Sequence, residues 1–141
     1  MSSIAYEDLL RKEGRVITHV VGWSMMPLLR NRESIVIVEA PDRVKPKKRD
    51  VVLYKTGNRY ILHRILKIRP EEYVIRGDNT WVLEHVPKEN VLATMTGFYR
   101  DSEGRYVAKD DILYQTYCKM LPCIRLIRFL KIRAKRFIKK L

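Results

Sequence analysis

Val51-Val52-Leu53-Tyr54-Lys55-Thr56-Gly57-Asn58-Arg59-Tyr60-Ile61-Leu62-His63-Arg64-Ile65-Leu66-Lys67-Ile68 decides the fold. Residues 51–54 form an unbroken apolar run, the pattern of a buried strand. Gly57-Asn58 is a turn signal, and residues 60–68 then read as the returning arm of a hairpin. On either side the same grammar recurs. Residues 16–21 are short and β-branched, and 35–38 (Ile-Val-Ile-Val) are another continuous apolar run. Pro70-Glu71-Glu72 is a turn before the short strand 73–75, which ends at Gly77-Asp78. Residues 91–99 are rich in β-branched and aromatic side chains, and Gly104 marks a turn before Tyr106-Val107. Five or more short strands at close spacing predict a mainly antiparallel β domain of barrel or sandwich type.

Both ends of the chain read as helical. Residues 2–13 carry Ile4, Leu9 and Leu10 at loose helical spacing, and Gly14 stops them. From Ile112 onward the pattern is helical again, with Pro122 expected to start or kink it. Ile127, Leu130, Ala134, Phe137, Ile138 and Leu141 recur at steps of three and four, and bases fill the other face. The expected organisation is a β-rich domain over 1–111 and a basic amphipathic tail over 112–141.

Charge is concentrated in that tail. The 141 residues hold 29 Lys and Arg against 16 Asp and Glu, a net +13. Nine of the bases and none of the acids lie from Cys118 to Leu141, so the first 117 residues carry only +4. Such a tail predicts contact with an anionic surface. Large aliphatics alternate with the bases, as in a helix lying at a bilayer interface. An anionic membrane surface is therefore the expected partner of 119–141, and nucleic acid is disfavoured. Residues 16–29 are the best uncharged run. They contain His19, Gly22 and Pro27 and fall short of the roughly 20 residues a span requires. No signal-peptide pattern opens the chain, so the expected location is cytoplasmic and peripheral at the membrane. Hydrophobic residues at 46% and charged residues at 32% fit a globular chain and exclude a fully disordered one. Cys118 and Cys123 do not make a disulfide scaffold or a C-x-x-C site and read as apolar residues. His19 and His85 have no partner pattern and read as structural. No metal cluster, phosphate loop or nucleotide motif is present, and no cofactor is expected.

Three short segments carry chemistry. Gly22-Trp23-Ser24-Met25-Met26-Pro27 places a serine in a loop after a strand, between a residue that permits close backbone approach and one that fixes the exit. Alone, a serine in a tight turn is most often structural. His63 sits in the returning arm of the hairpin, sharing a face with Ile61 and Ile65. A lone histidine there is more often a packed core residue, although a half-buried imidazole also suits a general base. Arg76-Gly77-Asp78-Asn79 closes a strand with a carboxylate able to orient an imidazole or to brace the loops beside it.

In series, Gly-x-Ser-Met-x-Pro, Arg-Asp-Val-Val, His-Arg-Ile-Leu and Gly-Asp-Asn resemble the signal peptidase I superfamily, which includes the LexA-type self-cleaving repressors. The resemblance covers residues 16–99. His63 followed by Arg64 is similar to the archaeal and endoplasmic-reticulum signal peptidases, where other members carry lysine at that position. It implies a signal-peptidase-like antiparallel β fold and a serine endopeptidase that cleaves a leader or signal-like peptide. By the same resemblance Ser24 is the nucleophile, His63 the general base and Asp78 the supporting acid. The backbone N–H groups of Ser24 and Met25 meet the oxyanion, and Gly22, Met26 and Pro27 contact a substrate with small residues before the cut. Three departures stand out. Arg49 occupies the family's glycine before Asp50, and Arg32-Glu33 replaces the Gly-Asp pair that often follows the serine box. The downstream Ser-x-Asp-Ser-Arg element is absent, with Trp81-Val82-Leu83-Glu84 nearby instead. Two other functions compete: a LexA-type nucleic-acid-binding regulator, and a catalytically inactive peptide-binding module.

Overall fold

The computed structural model describes residues 5–141. The chain divides into two units, Met1–Lys109 and Asp110–Leu141. The first begins with helix α1 (Tyr6–Glu13), closed by Gly14 in the left-handed conformation (φ 73°). The part of the expected helix at residues 2–4 lies outside the described residues. Eight strands follow: β1 (Arg15–His19), β2 (Ile35–Glu39), β3 (Val51–Thr56), β4 (Arg59–Ile68), β5 (Glu72–Arg76), β6 (Glu84–Pro87), β7 (Val91–Tyr99) and β8 (Tyr106–Ala108). They form one antiparallel sheet in the order β1-β2-β7-β3-β4-β5-β6, with β8 added on β7.

The hairpin read from the sequence is β3–β4, with Val52 opposite His63 and Thr56 opposite Arg59. Val51, Val52, Leu53 and Tyr54 are all buried, so β3 is covered on both faces, as its continuous apolar run requires. β2 differs. Val36 and Val38 are buried while Ile35 and Ile37 are half-exposed, so the same kind of run here serves a strand with one covered face. Val52, Tyr54, Ile65, Tyr73, Ile75, Val86 and Val91 cluster as core. Each fully buried aliphatic among them contributes roughly 1.5–3 kcal/mol.

The sheet does not close into the expected barrel. β4 has ten residues and β5 only five, and β5 pairs with β4 only from Arg64 onward. Residues 59–63 of β4 thus have a neighbour, β3, on one side only, and β1 pairs with β2 alone. β6 was not legible in the sequence. Its four residues bury only Val86 and show neither an apolar run nor a turn signal of their own.

The second unit is helix α2 (Ile112–Lys140), capped by Asp111, whose carboxylate accepts from the Tyr114 N–H. The helix neither starts nor ends at Pro122 but continues through it. Among the described residues, no helix is long and apolar enough to cross a membrane.

Candidate active site

The serine loop is held from several directions. The Gly22 N–H (φ 105°) donates to the Asn31 side chain at 2.7 Å, and Arg32 N–H donates to Val20 O at 2.7 Å. Met25 and Leu29 are buried anchors, and Leu29 N–H donates to Met25 O. Asn79, in the turn after β5, donates its backbone N–H to Ser24 O at 2.8 Å and its side-chain amide to Trp23 O at 3.0 Å. The turn after β5 is thereby stitched to the loop that carries Ser24.

Gly77 is where the serine loop and β4 converge. A Cβ there would lie 2.6 Å from Ser24 O and 3.0 Å from His63 Nε2. Only glycine leaves room for that approach, since a methyl would collide with backbone. The Ser24 carbonyl and the Nε2 edge of His63 thus both approach Gly77, and both residues line a cleft of about 590 Å³. No hydrogen bond joins Ser24 Oγ to His63 Nε2, and neither atom has another hydrogen-bond partner among the described residues. Catalytic hydrogen bonds are often long before substrate binds. The backbone N–H groups of Ser24 and Met25 make no internal hydrogen bond among the described residues, whereas Met26 N–H is taken by Trp23 O.

The other edge of the imidazole is held. His63 Nδ1 lies 3.0 Å from Glu84 Oε2 and 3.1 Å from the Tyr54 hydroxyl, and that hydroxyl donates to the same Glu84 oxygen. Tyr54 has one proton and Glu84 receives it. The remaining arrangement that satisfies all three groups has Nδ1–H donating to Glu84, which leaves Nε2 without the proton. Burial, and next the hydrogen bond to Glu84, push the Tyr54 phenol well above its ordinary pKa, so it remains a donor.

Asp78, expected as the supporting acid, meets Arg64. Its carboxylate is buried and grips Arg64 with both oxygens, at 2.8 Å from Nε and 2.9 Å from Nη2. Arg64 Nη1 also donates to Arg49 O at 2.7 Å. Asp78 therefore braces the Gly77–Asn79 turn and, through Asn79, the serine loop, while the carboxylate at the imidazole is Glu84. Met26 and Pro27, expected to contact substrate, are half-buried. Neither lines the cleft, whose wall on this side comes from Gly22, Trp23 and Met25. Pro27 instead offers its carbonyl to Arg100. His19, read as structural, lies at the end of β1 on the cleft wall.

The cleft runs between the one-sided edges of β1 (Thr18, His19) and β4 (Arg59–His63). α1 bridges them at one end. The Tyr6 hydroxyl is bonded to that of Thr18 at 2.9 Å, and the Tyr6 ring meets Tyr60 edge-on at 4.7 Å. Glu7 accepts from Lys55 (2.8 Å) and Tyr60 (2.5 Å), which hold its carboxyl down at about 2. Val21 and Trp23 on the cleft wall are exposed, as are Trp81, Val82 and Leu83 just before Glu84. A shallower depression at 69–72 and 87–89 is lined by no serine, threonine or cysteine. Among the described residues, no group of three or more His, Cys, Asp or Glu is placed to hold a metal ion. Compared with known protein families and with curated proteins, the chain matches none.

Proposed function

We propose that this chain is a serine endopeptidase of the signal-peptidase-like type, with Ser24 as nucleophile and His63 as general base. The observation that carries this reading is the two-sided imidazole. One nitrogen is held by Glu84 and Tyr54, and the other lies by Gly77 in the cleft that Ser24 also lines. That is the division of labour a hydroxyl nucleophile needs, since the oriented base must present a free lone pair.

In the reaction, His63 Nε2 takes the Ser24 hydroxyl proton as Oγ attacks the scissile carbonyl carbon. The N–H groups of Ser24 and Met25 face the developing oxyanion, and losing one such donor costs about 2.7–4 kcal/mol. His63 then returns the proton to the leaving amine, leaving an acyl-serine. A water, deprotonated by His63, hydrolyses the ester and restores the hydroxyl. Glu84 holds the imidazole tautomer and stabilises the imidazolium; Asp78 holds the frame.

The open strand edges support a peptide substrate. An extended chain entering between β1 and residues 59–63 finds backbone groups without a ladder partner, so it can bind as an added strand. The exposed tryptophans and aliphatics at the mouth suit an apolar leader. A further point favours the signal-peptidase-like fold. Arg32 (φ 62°) and Arg49 (φ 78°) are the two non-glycine residues with left-handed backbone among those described, and both stand where that family carries glycine.

Mass spectrometry of a peptide library incubated with wild type, Ser24→Ala and His63→Ala tests the reading. Cuts after small residues that vanish in both variants are expected, as is acylation of Ser24 by a serine-reactive probe. Cleavage that survives Ser24→Ala overturns the mechanism.

A further inference from the structure

The second unit carries a surface that the peptidase reading does not use. Every residue from 126 to 141 is exposed. At about 100° per residue, Leu126, Ile127, Leu130, Phe137, Ile138 and Leu141 fall within an arc of roughly 120°, with Ala134 inside it. These six large side chains are 53–90% exposed. Seven bases and no acid occupy the rest of the circumference, interrupted only by Phe129 and Ile132. Cys123, exposed one turn before Ile127, extends the arc toward the N-terminus.

The geometry points to this helix as an interfacial anchor for an anionic lipid bilayer, lying in the membrane plane. The occupant has to satisfy both faces at once. A second copy of the helix buries the apolar arc but brings seven like charges against seven. A nucleic acid takes the bases but leaves six large apolar side chains in water, since phosphates offer them nothing. A bilayer takes both. The arc enters the boundary between headgroups and acyl chains, and the flanking Lys and Arg stems lie along it with their charges among anionic headgroups. The helix is too charged to cross, so it rests on one leaflet.

Co-sedimentation of the full chain with phosphatidylglycerol–phosphatidylcholine vesicles, against pure phosphatidylcholine, tests this over a salt series. Binding to the anionic vesicles is expected to exceed binding to neutral ones by well over a thousandfold, and to weaken with salt. Leu130→Glu/Phe137→Glu should abolish it at every salt concentration. Lys135→Gln/Arg136→Gln/Lys139→Gln/Lys140→Gln should lower anionic binding about a thousandfold and leave neutral binding unchanged. All six positions are exposed, so an unchanged thermal midpoint should accompany both losses. Failure of the wild type to bind anionic vesicles overturns the inference. So does undiminished binding by Leu130→Glu/Phe137→Glu. Salt-sensitive retention on duplex DNA without vesicle binding overturns it in favour of a nucleic-acid partner. None of these outcomes depends on peptidase activity.

Discussion

His63 and Arg64 are consecutive on β4, so their side chains leave the strand on opposite faces. Both are buried, both meet a carboxylate, and there the likeness ends. Arg64 is bound to both oxygens of Asp78 and to Arg49 O, and its carboxylate partner is only 1% exposed. His63 is bound at one nitrogen only, and its partner Glu84 is 37% exposed at the cleft. A buried ion pair saturated with hydrogen bonds has no capacity left for chemistry; it fixes position. A base with one edge tied and one edge open can still accept a proton. In the proposed mechanism two adjacent ionisable residues thus serve as frame and as tool, and the partner's exposure tells them apart.

The largest effect that separates the two faces should come from Glu84→Gln. Gln keeps the size but loses the charge that supports the imidazolium, and its amide can force Nδ1 to accept. A change of this kind in a Ser-His-Asp triad costs about 10⁴ in kcat, and a loss of about 10³–10⁴-fold is expected here. Because Glu84 is partly exposed, the urea midpoint should barely move. If Glu84→Gln is active and Asp78→Asn is dead with stability intact, the roles given to the two carboxylates are reversed.

Asp78→Ala should do the opposite kind of damage. It leaves the Arg64 guanidinium buried without its counter-charge, which costs about 3–5 kcal/mol. Against a total of about 5–15 kcal/mol, that is a large fraction. A lowered denaturant midpoint with an unchanged slope is the signature to look for. Replacing both partners with apolar residues of similar volume, as in Arg64→Met/Asp78→Leu, should recover most of the loss. A double variant no more stable than Asp78→Ala would show that the pair does more than hold the frame.

The sequence revealed the frame better than the tool, for physical reasons. β3 announces itself because burial on two faces demands a continuous apolar run, and Gly57-Asn58 marks the turn into β4. Ser24 and His63 were legible from their boxes. Glu84 was not, because it sits on β6, where Glu84-His85-Val86-Pro87 buries one side chain and shows no period. The strand and the carboxylate it carries were hidden together. The partner of Asp78 was hidden for the converse reason. Its Gly-Asp turn is conspicuous in sequence, but which base it meets depends on whether β4 turns His63 or Arg64 toward it. A difference of one residue in a period of two selects the face, and pairing register alone settles that. Closure of the sheet was equally hidden, since it depends on how far along β4 the shorter β5 reaches.

The smallest expected effect sharpens the comparison most cleanly. Arg49 supplies the carbonyl that takes Arg64 Nη1, and its N–H donates to Ile65 O, yet its own backbone sits at φ 78° with the side chain exposed. Left-handed backbone costs a non-glycine residue about 1–2 kcal/mol, and glycine gives back roughly 0.5–1 kcal/mol of that through its freer unfolded chain. Arg49→Gly should therefore raise stability by about 0.5–1 kcal/mol. The gain belongs to the Arg64 face of β4. His63, one residue away on the other face, has no bond to Arg49, so kcat/KM should stay within about twofold while the thermal midpoint rises by a few degrees. A matching change in activity would mean that the two faces of β4 are mechanically coupled, and that the frame sets the position of the base more tightly than their separate hydrogen bonds require.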